Sequence, residues 1–407
     1  MLSDLKTQLP GYVEPRPVAT FSASAPLLRK ALLWLMTLVA LTPWVSAQLS
    51  TQDHLEDPGF WPTQPGVLRS DYTGPEACRQ CHAEKFADQA ETAMRRTTFQ
   101  ADAAEALHAH PKLTFEVGPY HYLIETDAKH SLYSVTNGKE TLSSPLLWAF
   151  GTPRVGQSYL FKRDDGHFYE ARVTYFATMK ALGFTPTRDL LSPKDVEQAM
   201  DRPVPQSEVK RCFSCHTTAA VIGDQFDEQH LIPGVTCEAC HGPGAKHVAD
   251  MQELMKGNLK AAQNDIFNSA HLSPNDAVDF CGACHATWWD VKLTGMTGPS
   301  TTRSAPYRLV TSKCWGKTGD ARLVCTACHD PHLPLQTDDA SYDHACLRCH
   351  TTTLGAALTA EHPGKACPVA KQDCSSCHMP KVYVKEMHDN FTDHRIRIAY
   401  SGEHFPE

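Results

Sequence analysis

At 407 residues, 42% hydrophobic and 21% charged, the chain falls among globular proteins with room for two or three domains, and outside the disordered and fibrous classes. A formal charge of -8 has the wrong sign for a nucleic-acid binder and favours basic partners.

Residues 1–47 read as an export signal. Arg29 and Lys30 precede an apolar run from Ala31 to Ala40, and Val45-Ser46-Ala47 offers a small-residue cleavage site, so a mature chain is expected to start near Gln48. Loss of the leader removes four basic and two acidic residues and takes the charge to -10. An uncleaved anchor is the alternative, against which stand the shortness of the apolar run for a bilayer span and its interruption by Pro43. No later segment approaches the length of a membrane helix, so the mature chain is expected to be soluble, with membrane association left open.

Residues 48–110 form an N-terminal segment: a polar, proline-rich lead-in, then a helical stretch from Pro75 to about Ala106. Across residues 111–190 the pattern changes to alternation rich in aromatic and β-branched residues, as in LTFEV, HYLIET, SLYSVT, SYLFKR and HFYEARVTYF. Asn137-Gly138 and Asp165-Gly166 sit between such runs as hairpin turns, which predicts a β-rich insert of roughly five or six strands. Residues 191–407 open on Ser192-Pro193 with Asp195, a capped helix start, and continue as short helices and loops.

Through this framework one pattern recurs. Cys-x-x-Cys-His occurs at Cys78, Cys81 and His82; Cys212, Cys215 and His216; Cys237, Cys240 and His241; Cys281, Cys284 and His285; Cys325, Cys328 and His329; Cys346, Cys349 and His350; and Cys374, Cys377 and His378. These seven copies take fourteen of the sixteen cysteines. A disulfide framework would explain the number of cysteines but not a histidine after every second one, and each Cys2His unit would need a further ligand to close a zinc site. Attachment of haem c explains all three positions: two thioether bonds need thiols one helical turn apart, and the next residue turns its imidazole to the iron. The sequence therefore predicts seven covalently attached haem c groups, each iron held by its motif histidine.

Six of the motifs lie in the 167 residues from Cys212 to His378, about 28 residues each, too few for an adequate side-chain core. The predicted fold is accordingly a multihaem cytochrome, mainly short α-helices and loops packed on haems, with the β-rich insert between the first and second motifs. Trp288, Trp289 and Trp315 are expected to pack against macrocycles. The insert is expected to shield the first haem, a docking surface being the other reading.

A second imidazole on the far side of each iron would complete a low-potential electron-transfer site, and fifteen histidines lie outside the motifs. The best-placed candidates are His247, His332, His362, His388 and His394, all in motif-bearing segments; His110 and His271 follow. A histidine so close to a motif would serve a neighbouring haem rather than its own. Ordinary hydrogen-bonded surface or core histidines are the alternative for each. Cys314 and Cys367, outside the motifs, are expected to form a disulfide.

The segments YTGPEACRQCH, PGVTCEACHGPGAKH, VDFCGACHATWWDV, RLVCTACHDPH, and CSSCHMP followed by FTDHRI make the chain resemble the bacterial multihaem cytochromes of the cytochrome c554 type, which share a haem-packing core with hydroxylamine oxidoreductase. The resemblance implies a periplasmic or extracellular electron carrier with mostly bis-histidine haems. The chain departs from the catalytic relatives in having no Cys-x-x-Cys-Lys site, and it carries seven attachment motifs where those families carry four or eight.

The leading expectation is an exported electron carrier, not an enzyme, exchanging electrons with redox proteins such as other cytochromes or a quinol-oxidising complex, in the periplasm or outside the cell. An oxidoreductase acting on a nitrogen or sulfur oxyanion at one five-coordinate haem is the alternative. A subunit of an oligomer or conductive filament is a third reading.

Overall fold

The computed structural model describes residues 67–186, 192–223, 225–258, 266–316, 319–350 and 367–407. The proposed leader, most of the lead-in and the candidate ligand His362 lie outside the described residues. The described residues all belong to one unit, Ser50–Glu407, built of short helices and antiparallel sheets.

Among the described residues between the first and second motifs lie ten strands: β1 (Thr98–Gln100), β2 (Lys112–Val117), β3 (Tyr120–Thr126), β4 (Ser131–Thr136), β5 (Thr141–Pro145), β6 (Trp148–Phe150), β7 (Gly156–Lys162), β8 (Phe168–Phe176), β9 (Ala181–Phe184) and β10 (Asp201–Pro203). The apolar alternation builds β2, β3, β4, β7 and β8 as expected. The additional strands are short or polar: β5 is TLSSP and β6 is WAF, too brief to show a period of two. Asn137 and Asp165 hold the anticipated turns, each accepting backbone amides through Oδ1, and the following Gly138 and Gly166 take the positive φ that tight turns require.

Strands β2-β3-β4-β5 form one sheet, and β1-β6-β7-β8-β10 form another in which β9 also pairs with β8. Alternation turns Tyr122, Ile124, Tyr133 and Val135 of the first sheet onto Tyr159, Phe161, Ala171 and Val173 of the second, in a single buried cluster. Among the described residues this is a larger side-chain core than any in the motif-dense segment.

The other face of the larger sheet carries Trp148, Leu160 and Phe168, which close over Val209 and Phe213 of the helix Gln206–His216. That helix bears the second motif, and Phe150 of β6 sets its ring edge on His216, centroids 5.5 Å apart. The insert therefore packs against the second motif, because the apolar face left on the sheet meets Phe213 inside that motif. From β8, Phe176 reaches the C-terminal hairpin of strands Lys381–Val384 and Asp389–Thr392.

Among the described residues no helix is long and apolar enough to cross a membrane. Around the fourth and fifth motifs the buried apolar cluster is small: Val278, Leu309 and Trp315, with Val310, Leu323, Val324, Cys325 and Ile396 at its margin. Trp315 packs on these side chains, whereas Trp288 and Trp289 meet edge to face with centroids 4.9 Å apart and are 38% and 47% exposed.

Candidate functional site

Each motif folds into a helical turn. In the first, fifth and sixth, the histidine amide donates to the carbonyl of the leading cysteine: His82 to Cys78 at 2.9 Å, His329 to Cys325 at 2.9 Å and His350 to Cys346 at 3.0 Å. The others lie within the helices Gln206–His216, Cys237–His241, Pro274–His285 and Cys374–His378. One turn puts both thiols and the imidazole on one side of the backbone, the arrangement that double attachment with axial ligation needs.

The motifs adjoin in a definite order. Thiol contacts join Cys78 to Cys237, Cys215 to Cys284, Cys281 to Cys325 and Cys346 to Cys374. Buried carboxylates, which the sequence analysis missed, fasten three of these four pairs. Glu238, inside the third motif, accepts the amides of Thr73 at 2.9 Å and Gly74 at 2.8 Å, where the helix of the first motif begins, and that of Gly244 at 2.8 Å. Asp343 accepts the amides of Asp373 at 2.7 Å and Cys374 at 2.8 Å, tying sixth to seventh. Arg211 beside the second motif reaches Asp290, beyond the fourth, at 2.7 Å. An acidic residue within or just outside a motif, as in CEACH, was the available signal.

Gly234 allows the segment entering the third motif to run against the first. Its φ is +77° and a Cβ there would collide with the Arg95 carbonyl, while the next residue, Val235, donates its amide to Met94 at 3.0 Å.

Two motif histidines face histidines from elsewhere in the chain. The ring centroids of His241 and His332 lie 6.0 Å apart with planes within 7° of parallel; those of His329 and His394 lie 6.2 Å apart at 41°. Several imidazoles are held at Nδ1, leaving Nε2 free. Nδ1 lies 2.7 Å from Thr97 Oγ1 in His216, 2.8 Å from the Phe267 carbonyl in His241, 3.0 Å from Asp330 Oδ1 in His332, 2.8 Å from the Arg397 carbonyl in His378 and 3.0 Å from the Thr392 carbonyl in His394. His394 is further fixed by its neighbour Asp393, which accepts Arg308 Nε at 2.7 Å, Arg308 Nη2 at 2.8 Å and Arg397 Nη1 at 2.7 Å in full burial.

Burial, chiefly, lowers the pKa of His216 and His394 to about 4 and holds His285 and His329 below the usual imidazole value, so these rings are neutral donors. Burial pushes Cys212 up to about 12 and Cys240 up to about 11.

The remaining candidates divide. His247 Nδ1 is buried without a hydrogen-bond partner, an orphaned donor or acceptor of the kind that marks an absent neighbour. His388 takes φ +51° and sets its ring edge on Phe176, centroids 4.8 Å apart, while His271 is exposed at the end of a 3-10 turn. His110 stands apart: its Nε2 lies 2.9 Å from the Tyr175 hydroxyl at the edge of the insert's core, which occupies the nitrogen a ligand would use. Cys314 and Cys367 are free thiols, so the expected disulfide does not form: Cys314 is drawn in beside Cys346 and Cys349, and Cys367 is held by the amides of Val369 and Ala370.

A family model described as "Cytochrome c554 and c-prime" matches residues 177–242, which contain the second and third motifs. The chain is also 24% identical over 216 residues to "Multiheme cytochrome MtrA" of Shewanella baltica (strain OS185), a match covering 42% of this chain and 63% of that protein, less than two thirds of its length. Over these stretches the chain is similar to the multihaem c-type cytochromes of the cytochrome c554 family. Among solved structures the cytochrome is similar to "Outer Cell Wall Cytochrome OcwA", at 14% identity over 80% of each chain and a TM-score of 0.44.

That similarity implies several c-type haems, and the residues of this chain fit them. The thiols have the attachment spacing, and His241, His332 and His394 are held at Nδ1 with Nε2 left for iron. Metal–imidazole bonds of about 2 Å on opposite sides of one iron would set two ring centroids about 6 Å apart, as in His241 with His332 and His329 with His394.

Proposed function

We propose that this cytochrome binds seven haem c groups, one at each motif, and conducts electrons between redox partners as an exported protein of a respiratory or extracellular electron-transfer chain. The carrying observation is the pairing of motif histidines with histidines from other segments, 6.0 and 6.2 Å between ring centroids. Haem iron supplies the one-electron chemistry. The polypeptide supplies attachment through the fourteen motif cysteines, proximal imidazoles from the seven motif histidines, and distal imidazoles from His332, His394 and His247, with His362, His388 and His271 as further candidates.

Imidazoles on both faces leave no open position for a substrate, which favours conduction over catalysis. His332 follows the fifth motif yet faces His241 of the third, and His394 follows the seventh yet faces His329 of the fifth, so ligation locks neighbouring units together. The contacts among motif cysteines support a path through motifs one, three, four, five, six and seven, with the second joined at the fourth. Export is supported by the leader-like residues 1–47, and the acidic balance suits basic redox proteins as partners.

Carbon monoxide tests this reading. The reduced cytochrome is expected to show no shift in its haem bands, and His332→Ala to acquire one carbon-monoxide-sensitive haem. A shift in the unaltered protein would replace conduction by chemistry at an open iron.

A further inference from the structure

We infer that Asp330, acting through His332, lowers the reduction potential of the haem of Cys237, Cys240 and His241, and that Lys85 sets the strength of this effect. The inference rests on the ligand pairing proposed above and adds to it an assignment of potential.

The five anchored histidines differ in what meets Nδ1. His241, His378 and His394 meet backbone carbonyls and His216 meets a hydroxyl, all neutral. His332 meets a carboxylate, Asp330 Oδ1, at 3.0 Å, in a geometry fixed by a second bond from the His332 amide to the same oxygen at 2.9 Å. A carboxylate draws the Nδ1 proton more strongly than a neutral acceptor and gives the ring imidazolate character, which makes it a better donor to the iron. A stronger donor stabilises the ferric state and lowers the reduction potential. Lys85, on the helix after the first motif, places Nζ 3.5 Å from Asp330 Oδ2 and opposes this by neutralising part of the charge.

The position has a consequence for conduction. The third motif stands between the first and the fourth in the contact order, so a low potential there separates the first haem from the rest by an uphill step. Asp330 and Lys85 thus act as positioning and tuning residues, touching the iron only through His332.

Potentiometric titration of the full, haem-loaded protein, followed by visible and electron paramagnetic resonance spectra, tests this. Asp330→Asn keeps the shape and removes the charge: one component should move to higher potential, more than any other, with every haem still low-spin. Lys85→Ala, at an exposed site, should move the same component to lower potential. No displacement, displacements in the same direction, or a high-spin haem in Asp330→Asn would each overturn the inference, the last by reducing Asp330 to holding His332 in place. Absence of haem, or carbon monoxide binding by the unaltered protein, would instead overturn the function proposed above.

Discussion

Glu238 accepts the Gly74 amide at 2.8 Å across 164 residues of sequence, so a carboxylate inside the third motif caps the helix that opens the first. Its other acceptor bonds, from Thr73 and Gly244, complete a joint in which Glu238 itself is 1% exposed. Glu238→Gln presents an amide group to these donors and should lower stability by about 3 kcal/mol, the worth of one or two buried charged hydrogen bonds. Chemical denaturation followed by circular dichroism would measure it. Glu76→Ala, which breaks only an exposed pair with Arg79, should change stability by less than about 1 kcal/mol.

Arg308 and Asp393 are both fully buried, with two direct hydrogen bonds between them and His394 next in sequence. Arg308→Met leaves a buried carboxylate with Arg397 as its remaining side-chain partner, and a loss of about 3–5 kcal/mol is expected. Loosening of His394 should also make one haem sensitive to carbon monoxide, a spectroscopic change that destabilisation elsewhere would not produce.

Acid should weaken the joint between the sixth and seventh motifs. Burial disfavours ionisation of Asp343, yet the amides of Cys374 and Asp373 outweigh it and hold the carboxyl below its usual range. A carboxyl whose folded pKa is depressed contributes stability above its unfolded pKa, near 3.9, and loses that contribution as pH falls through the folded value. The denaturation midpoint should therefore fall more steeply below about pH 4 in the unaltered protein than in Asp343→Asn, with the two acid limbs parallel if Asp343 contributes nothing.

His110→Ala should leave every haem band unchanged. Its ring is bound to Tyr175 in the insert, so the cost should appear only as about 1 kcal/mol of stability. Loss of a low-spin signal would return His110 to the ligand candidates.

The attachment sites were legible because covalent chemistry imposes a fixed local spacing, and Cys78 to His82 reads the same in sequence and in space. The candidate status of His332 and His394 was legible for a similar reason, closeness to a motif, but their partners were not: the meeting of His332 with His241 depends on how segments 91 residues apart pack. In the insert, long alternating runs such as HYLIET announced their strands, while TLSSP and DRP became strands only through neighbours in the sheet. The expected Cys314–Cys367 bridge came from counting unpaired cysteines, which carries no information on distance. Glu238, Asp343 and Asp393 were passed over because a single carboxylate near a motif looks solvent-facing until the chain around it supplies amides and guanidinium groups.

The mass of the intact, natively matured protein tests the central claim most directly. Seven occupied motifs predict the mature polypeptide mass increased by seven haems, surviving denaturation because the links are covalent. The bare polypeptide mass would contradict the account.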